Sequence, residues 1–526
     1  MKIWILNPPY FKHFSRPQRS PAVTKSGTVY YPIWLAGCTG VLEEAGHDVT
    51  LTDAPARGYD LEYILEMSKE LAPSLIVVDT STPSINNDLT VCKRIREKLP
   101  HAFIVLVGTH ASALPHETLL QCDAVNAVAR KEYELTIDEL AKYLCKSSWP
   151  LENGYIKNSH IEPLSSIKGL SFCALPENST LMEPAIAEKN DNDYSTKPVI
   201  LHNPDRPFIE DLDTLPWVSK IYQKHLCMED YFNPNTLFPM ATIMTSRGCP
   251  FRCSFCVYPQ TITGRRFRFR SVEDVVDEME YIQKNIPKIK AIFFEDDTMS
   301  ANRKRCIALS REIIKRGIKL PWTTNSRIDP DLETLKIMKK AGCRSLCVGF
   351  ESGEQRILNG MHKGTRKEKM FRFMKDAKKA GILIHGCFMV GFPGEGRSDI
   401  KKTIELSMKL KPDTVQFYPV MVYPGTEAYS EYMGKGWITA EKYENWLTPE
   451  GLHNCVVRNE ALSSQKLVDI CNDARREFYL RPRYIAYKLF QIIRHPSEAT
   501  RTLKAFRTFF RHLGIFPKLD ILSRFK

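Results

Sequence analysis

Twice along this 526-residue chain, short and nearly continuous apolar runs alternate with segments of helical apolar spacing. That alternation most limits the folds open to it, because strands that are apolar on both faces need helices on both sides of a parallel sheet. In the first stretch the runs are "KIWILNP", "DVTLTDA", "SLIVVDTS" and "FIVLVGTH", with "WLAGCTGVLEEAGH" spaced as a helix. A doubly wound, Rossmann-like α/β domain is expected over residues 1–146. Residues 147–239 turn to Asn, Ser, Pro and charge, as in "EKNDNDYSTKP" and "HNPDRPF", and read as a connector with little core of its own. The alternation resumes over 240–440 with "ATIMTS", "KAIFFED", "LPWTTNS", "SLCVGFES", "ILIHGCFMVG" and "TVQFYPVM". Six strand–helix units predict a partial (β/α)6 barrel, with active-site groups at the C-terminal strand ends. In the helix "SVEDVVDEMEYIQKN", Ser271 is the expected N-cap. Residues 441–526 read as a helical region with a basic end.

A chain of this length needs more than one core. Hydrophobic residues at 43% and charged residues at 26% are ordinary globular values. The 15 cysteines are odd in number and scattered, which suits a reducing compartment where most act as small apolar residues. The start resembles no secretory signal, and no run is long enough to cross a bilayer, so a cytoplasmic location is expected.

One cluster of cysteines calls for chemistry. "TSRGCPFRCSFCVYPQ" carries Cys249, Cys253 and Cys256 within eight residues. A structural zinc site wants four ligands, and no fourth stands nearby. An iron–sulfur cluster held by three cysteines leaves one iron open to another ligand. The loop directly follows the first strand of the second alternation, where barrels place catalytic groups. Arg247 and Arg252 read either as cations favouring a reduced cluster or as solvated charges, and Phe255 as a shield against water.

This spacing, with an aromatic residue before the third cysteine, resembles the radical S-adenosylmethionine (SAM) family. The resemblance implies a [4Fe-4S] cluster whose open iron binds the amino and carboxylate groups of SAM. One electron then cleaves SAM to methionine and a 5′-deoxyadenosyl radical, which abstracts hydrogen from substrate. It assigns Glu295, Asp296 and Asp297 of "FFEDDTMS" to the SAM ammonium group, with helix capping as the alternative. Arg327 of "TTNSRID" suits the SAM carboxylate as a two-pronged donor, or equally a surface salt bridge. Glu351 and Ser352 of "VGFESG" fall to the ribose and its neighbours, and Gly391 of "CFMVGFPGE" to the backbone against adenine or to a plain turn.

The doubly wound domain ahead of such a barrel is similar to the cobalamin (B12)-binding radical SAM enzymes over nearly the whole chain. The texture of "YYPIWLAG", "TSTPS", "HNPDRP", "YPQTITGRRFRFRS" and "YPGT" resembles the branch with hopanoid-biosynthesis enzymes and the anaerobic magnesium-protoporphyrin cyclase. No D-x-H-x-x-G is present, so cobalamin, where bound, would lack a histidine ligand. His110 of "VGTHAS" reads as pocket lining or as an ordinary loop histidine, and Thr80, Ser81 and Thr82 likewise. The interleaved "TGRRFRFRS" reads as a single-stranded nucleic-acid channel or, preferably, as a strand with Arg in water, since no RNA module is recognisable.

At the C-terminus, Leu503, Phe506, Phe510 and Leu513 share one helical face beside Arg501, Lys504, Arg507 and Arg511. That is an interfacial helix or a helix packed on the barrel. The expectation is therefore a radical SAM enzyme acting on a small molecule, above all a lipid or isoprenoid or a lipid-linked sugar, by C–C bond formation or rearrangement. It would draw on an external ferredoxin- or flavodoxin-like donor and sit in the cytoplasm or on the inner membrane face. The alternatives are a cobalamin-dependent C-methyltransferase and, below it, a methylthiotransferase-like RNA modifier or a non-catalytic metal- or cobalamin-binding module.

Overall fold

The computed structural model describes residues 1–146, 160–174 and 199–494. The first sheet contains β1 (Lys2–Asn7), β2 (Asp48–Asp53), β3 (Leu75–Thr80), β4 (Phe103–Gly108), β5 (Ala127–Ala129), β6 (Leu170–Ala174) and β7 (Val199–His202) in the order β2-β1-β3-β4-β5-β6-β7. β1 to β5 pair in parallel. β3 is buried along its whole length, as an apolar strand covered by helices on both faces should be.

β6 and β7 correct the reading of 147–239 as a connector. They add antiparallel to β5 and extend the first sheet, and β6 is buried throughout. Further on, Tyr222 and Tyr231 stack on Tyr31 at 4.3 and 3.9 Å between ring centres. The polar texture hid these contributions because the buried residues are few and separated by surface residues.

The second sheet is built from β8 (Met240–Ile243) and, after a two-residue ladder of β9 (Ser246–Arg247) and β10 (Arg268–Phe269), from β11 (Ala291–Phe294), β12 (Trp322–Ser326), β13 (Cys343–Glu351), β14 (Leu383–Val390) and β15 (Thr414–Pro419). Its order is β15-β14-β13-β12-β11-β8, parallel at every pair. These six strands fall on the six predicted runs, and because β8 and β15 do not pair, the barrel is partial. Ser271 caps the helix Val272–Asn285 as expected, its hydroxyl accepting from Asp274 N at 3.1 Å.

Of the four arginines of "TGRRFRFRS", Arg266 is exposed and pairs with Glu210, but Arg268 and Arg270 face neither water nor a nucleic-acid channel. Arg268 is buried and forks onto both Glu132 oxygens at 2.8 and 2.6 Å, while Arg270 pairs with Asp274 and Glu278. Arg247 is buried too: it bonds Glu134 at 2.7 Å and lies over the Trp34 ring. Both readings of Arg247, as a cluster cation and as a solvated charge, are thereby corrected. Buried cations require buried acceptors, and for Arg247 and Arg268 the first domain supplies them to the second.

The helix Ser464–Tyr479 packs beside β15, the Tyr479 hydroxyl donating to Val415 O at 2.7 Å. The next helix, Pro482–Arg494, leaves Leu489, Phe490 and Ile493 exposed. Among the described residues no helix is long and apolar enough to cross a membrane. The amphipathic pattern at 501–513 lies outside the described residues.

Candidate active site at the barrel mouth

The loop after β8 and β9 carries the three cysteines. It turns at Gly248, whose φ is +84° and where a Cβ would lie 2.0 Å from Arg266 O, so only glycine fits. Gly248 N donates to Asp297 at 3.0 Å, and Cys249 N to Gly264 O at 3.2 Å. Burial pushes the Cys249 thiol up to about 11 and the Cys256 thiol up to about 12, the latter against the opposing charge of Arg19. Among the described residues no three His, Cys, Asp or Glu side chains are already gathered for a metal ion, so the loop presents three free thiols. Phe255 packs against Phe392 at 5.8 Å, in line with a shielding role, and Arg252 is exposed.

The acidic run at the end of β11 divides. Asp296 is fully enclosed and accepts four hydrogen bonds, from the backbone and hydroxyls of Thr245 and Ser246 at 2.6 to 3.1 Å. It fixes the start of the cysteine loop and has no oxygen left for a ligand, which corrects its assignment to SAM. Glu295 and Asp297 instead face Arg19, at 2.8 and 3.4 Å. Glu295 Oε2 remains buried without a partner, and burial, partly offset by Arg19, pushes its carboxyl up to about 7.

At the end of β13, Glu351 pairs with Lys363 at 2.8 Å and keeps Oε2 buried and unpartnered. Ser352 points away, toward Thr403 Oγ1 at 3.3 Å and Glu354 N at 3.1 Å, where it shapes the following turn. Arg327 is not a free fork. Nη2 donates to Lys363 O and Thr365 Oγ1 at 2.8 and 3.1 Å, Nε donates to Asp329, and the guanidinium stacks on Phe251 at 3.6 Å. Gly391 has φ +99°, and a Cβ there would lie 2.8 Å from Leu467 Cδ1. The close approach it permits is to the helix Ser464–Tyr479, not to adenine.

At the C-terminal edge of the first sheet, Thr80 donates to Val107 O at 2.9 Å and Ser81 bonds Ser84 at 2.8 Å, both buried in the turn. They serve the fold instead of lining an open pocket. His110 is enclosed, its Nδ1 3.3 Å from Thr82 Oγ1 and its ring edge-on to Tyr443, and burial pulls its pKa down to about 3. It is neither an ordinary loop histidine nor an open lining residue. Nε2 has no partner.

Sequence reasoning missed the segment that joins the two centres. Residues 10–31 leave β1 and cross to the barrel mouth. Arg16 is fully buried on Asp88 and Asn7, Pro17 O accepts from the Tyr258 hydroxyl, Arg19 meets Glu295, and Tyr30 meets Phe293 edge-on. Nothing in "FSRPQRSP" shows which carboxylates Arg16 and Arg19 would face. The short helix Thr109–Ala113 after β4 also reaches the barrel side: Gly425, at φ +84°, is held to glycine because a Cβ would lie 2.8 Å from both Ala113 Cβ and Thr261 Cγ2.

These features fit the expected groups. Two buried carboxylates at strand ends each keep one oxygen unmatched, which suits a ligand rich in N–H and O–H donors such as SAM. Three thiols without a fourth ligand suit a cluster with an open iron.

Residues 243–407 match the model of the radical SAM superfamily, and residues 19–141 match that of the B12 binding domain, together more than half of the chain. The chain is 29% identical to an uncharacterized methyltransferase of Pyrococcus horikoshii over 90% of its own length and 93% of that protein. It is 26% identical to the anaerobic magnesium-protoporphyrin IX monomethyl ester cyclase of Cereibacter sphaeroides, over 87% and 68%. In fold it resembles the radical SAM methyltransferase TsrM from Kitasatospora setae, solved with cobalamin and a [4Fe-4S] cluster, at a TM-score of 0.63, 18% identity and 90% coverage of both chains. The chain is a radical SAM enzyme, which makes a [4Fe-4S] cluster and SAM its cofactors, and it carries an N-terminal domain of the B12-binding family.

Proposed function

We propose that this enzyme is a cobalamin-dependent radical SAM methyltransferase that methylates a carbon of a small molecule. The observation that carries the reading is the alignment with a relative named as a methyltransferase through both domains at nearly full length. Shorter alignments to two bacteriochlorophyllide d methyltransferases of Chlorobaculum tepidum agree. The lipid substrate and membrane-surface docking expected from the tail gain nothing from these relatives, so methyl transfer takes precedence. The cyclase relative sustains ring formation as a second reading.

When bound, the three cofactors supply one-electron reduction, hydrogen abstraction and a methyl group. We assign Cys249, Cys253 and Cys256 to hold the cluster, Glu295 and Asp297 to meet the amino group of SAM, and Glu351 to meet a hydroxyl. Phe255 and Phe392 exclude water beside the loop, which protects a radical from side reactions. Arg19 neutralises Glu295 and Asp297 and couples the first domain to the barrel mouth. The test is anaerobic reconstitution with SAM carrying a labelled methyl group, a corrinoid and a low-potential reductant. Corrinoid retention, 5′-deoxyadenosine and S-adenosylhomocysteine together support methyl transfer. Cleavage of SAM without S-adenosylhomocysteine would return the function to ring formation or rearrangement.

A further inference from the structure

The end of β13 carries more constraint than a strand end needs. Its register against β14 slips between Gly349 and Glu351, and Glu351 lies at φ +64°, where a residue with a Cβ stays only when its surroundings hold it. A Cβ on Gly349 would come 2.1 Å from Glu351 Oε1 and 2.8 Å from Lys363 Nζ, so any side chain there would displace both charged groups. All three features seat one ion pair, Lys363 on Glu351 at 2.8 Å, both side chains less than a tenth exposed. A buried ion pair is a poor way to gain stability, so the strain is better explained by what the pair holds ready.

Two valences are open. Glu351 Oε2 is buried without a partner. Lys363 Nζ carries three N–H groups and, among the described residues, donates only to Glu351. The loop bearing Lys363 is fastened to the cysteine loop at two points. Ser254 N donates to Met361 O at 3.1 Å, and Arg327 bridges from Phe251 to Lys363 O. Arg327 commits Nη2 to that bridge and Nε to Asp329.

We infer that Lys363, not Arg327, is the cation that receives the α-carboxylate of SAM, with Arg327 a positioning residue that holds Lys363 beside the cysteine loop. This rests on the reading that SAM binds at these strand ends. A carboxylate entering there would meet a desolvated ammonium beside the cluster cysteines, and the charge-assisted bond it makes is stronger than a neutral one.

The test uses the full-length, cluster-reconstituted enzyme and two ligands, SAM and decarboxylated SAM, with Kd measured by equilibrium dialysis and iron content assayed in parallel. The wild type should prefer SAM. Lys363→Met should shrink that preference by about 10- to 100-fold, the range for a bond between charged groups, while retaining iron. Because Lys363→Met leaves Glu351 unpaired, the charge-neutral double variant Lys363→Met/Glu351→Gln is measured as well, and it should lose the preference to the same extent. Arg327→Gln should weaken both ligands alike and keep the ratio. A preference unchanged in both Lys363 variants, or lost in Arg327→Gln alone, overturns the assignment while SAM binding itself stands. A wild type that binds no SAM overturns both this inference and the proposed function.

Discussion

Glu132 is the residue through which the two domains can be unfastened with one substitution. It sits just past β5, 2% exposed, and accepts two bonds from Arg268 and one from Ile209 N, with Arg247 at 3.7 Å. Glu132→Gln keeps the shape but leaves Arg268, under a tenth exposed, facing a neutral amide, while Arg247 keeps its bond to Glu134. Breaking a buried pair from one side costs about 3–5 kcal/mol. At about 2–4 °C per kcal/mol for a unit of 150–250 residues, the first thermal transition should fall by roughly 6–20 °C. Scanning calorimetry of the full chain reads this directly. The companion variant Glu132→Gln/Arg268→Met removes both charges and should recover more than half of the loss, since the penalty is an uncompensated charge and not the absence of a favourable bond. Because β9 leads straight into Gly248 and Cys249, the single variant should also reconstitute less iron. A first transition within about 2 °C of wild type, or a double variant no better than the single one, would refute the argument that this network joins the domains.

Replacing any one of Cys249, Cys253 or Cys256 by Ala should abolish retention of the cluster by iron and sulfide assay, whereas Cys306→Ala and Cys343→Ala should keep iron and cost about 1–2 kcal/mol in denaturant titration. Gly108→Ala forces a Cβ to 2.2 Å from Thr80 O at φ +106° and should lower corrinoid retention in visible spectra while leaving the iron content unchanged. Asp79 is buried, and desolvation, opposed by Arg16 and reinforced by Asp88 and Asp53, raises its carboxyl to about 7. A raised acid means that the folded state binds the extra proton between about pH 4 and pH 7, so its contribution to stability is lost as pH rises across that window. Asp79→Asn should therefore flatten the fall in melting temperature from pH 5 to pH 8 relative to wild type, and a parallel pair of profiles would contradict the assigned burial. Glu295→Gln should raise the Kd for SAM about tenfold with unchanged iron content.

The six barrel strands, β1 to β4 of the first sheet and the cysteine loop were legible in the sequence because each rests on local periodicity or on spacing within one turn of chain, whereas the antiparallel β6 and β7 were not. "AIFF" and "TVQFYP" read as barrel strands from their own residues, and three thiols in eight residues leave a closed zinc site in need of a distant fourth ligand without any knowledge of the fold. Polar residues were legible only as candidates. Nothing in "FFEDDTMS" separates Asp296, consumed by Thr245 and Ser246, from Glu295, which keeps an oxygen free. Nothing in "TGRRFRFRS" reveals that Arg268 meets an acid 136 residues upstream, or that Arg19 meets one 276 residues downstream. A charged side chain has no fixed role of its own. Burial makes each charge seek a partner, and only the folding of distant segments into one interior determines which partner is within reach.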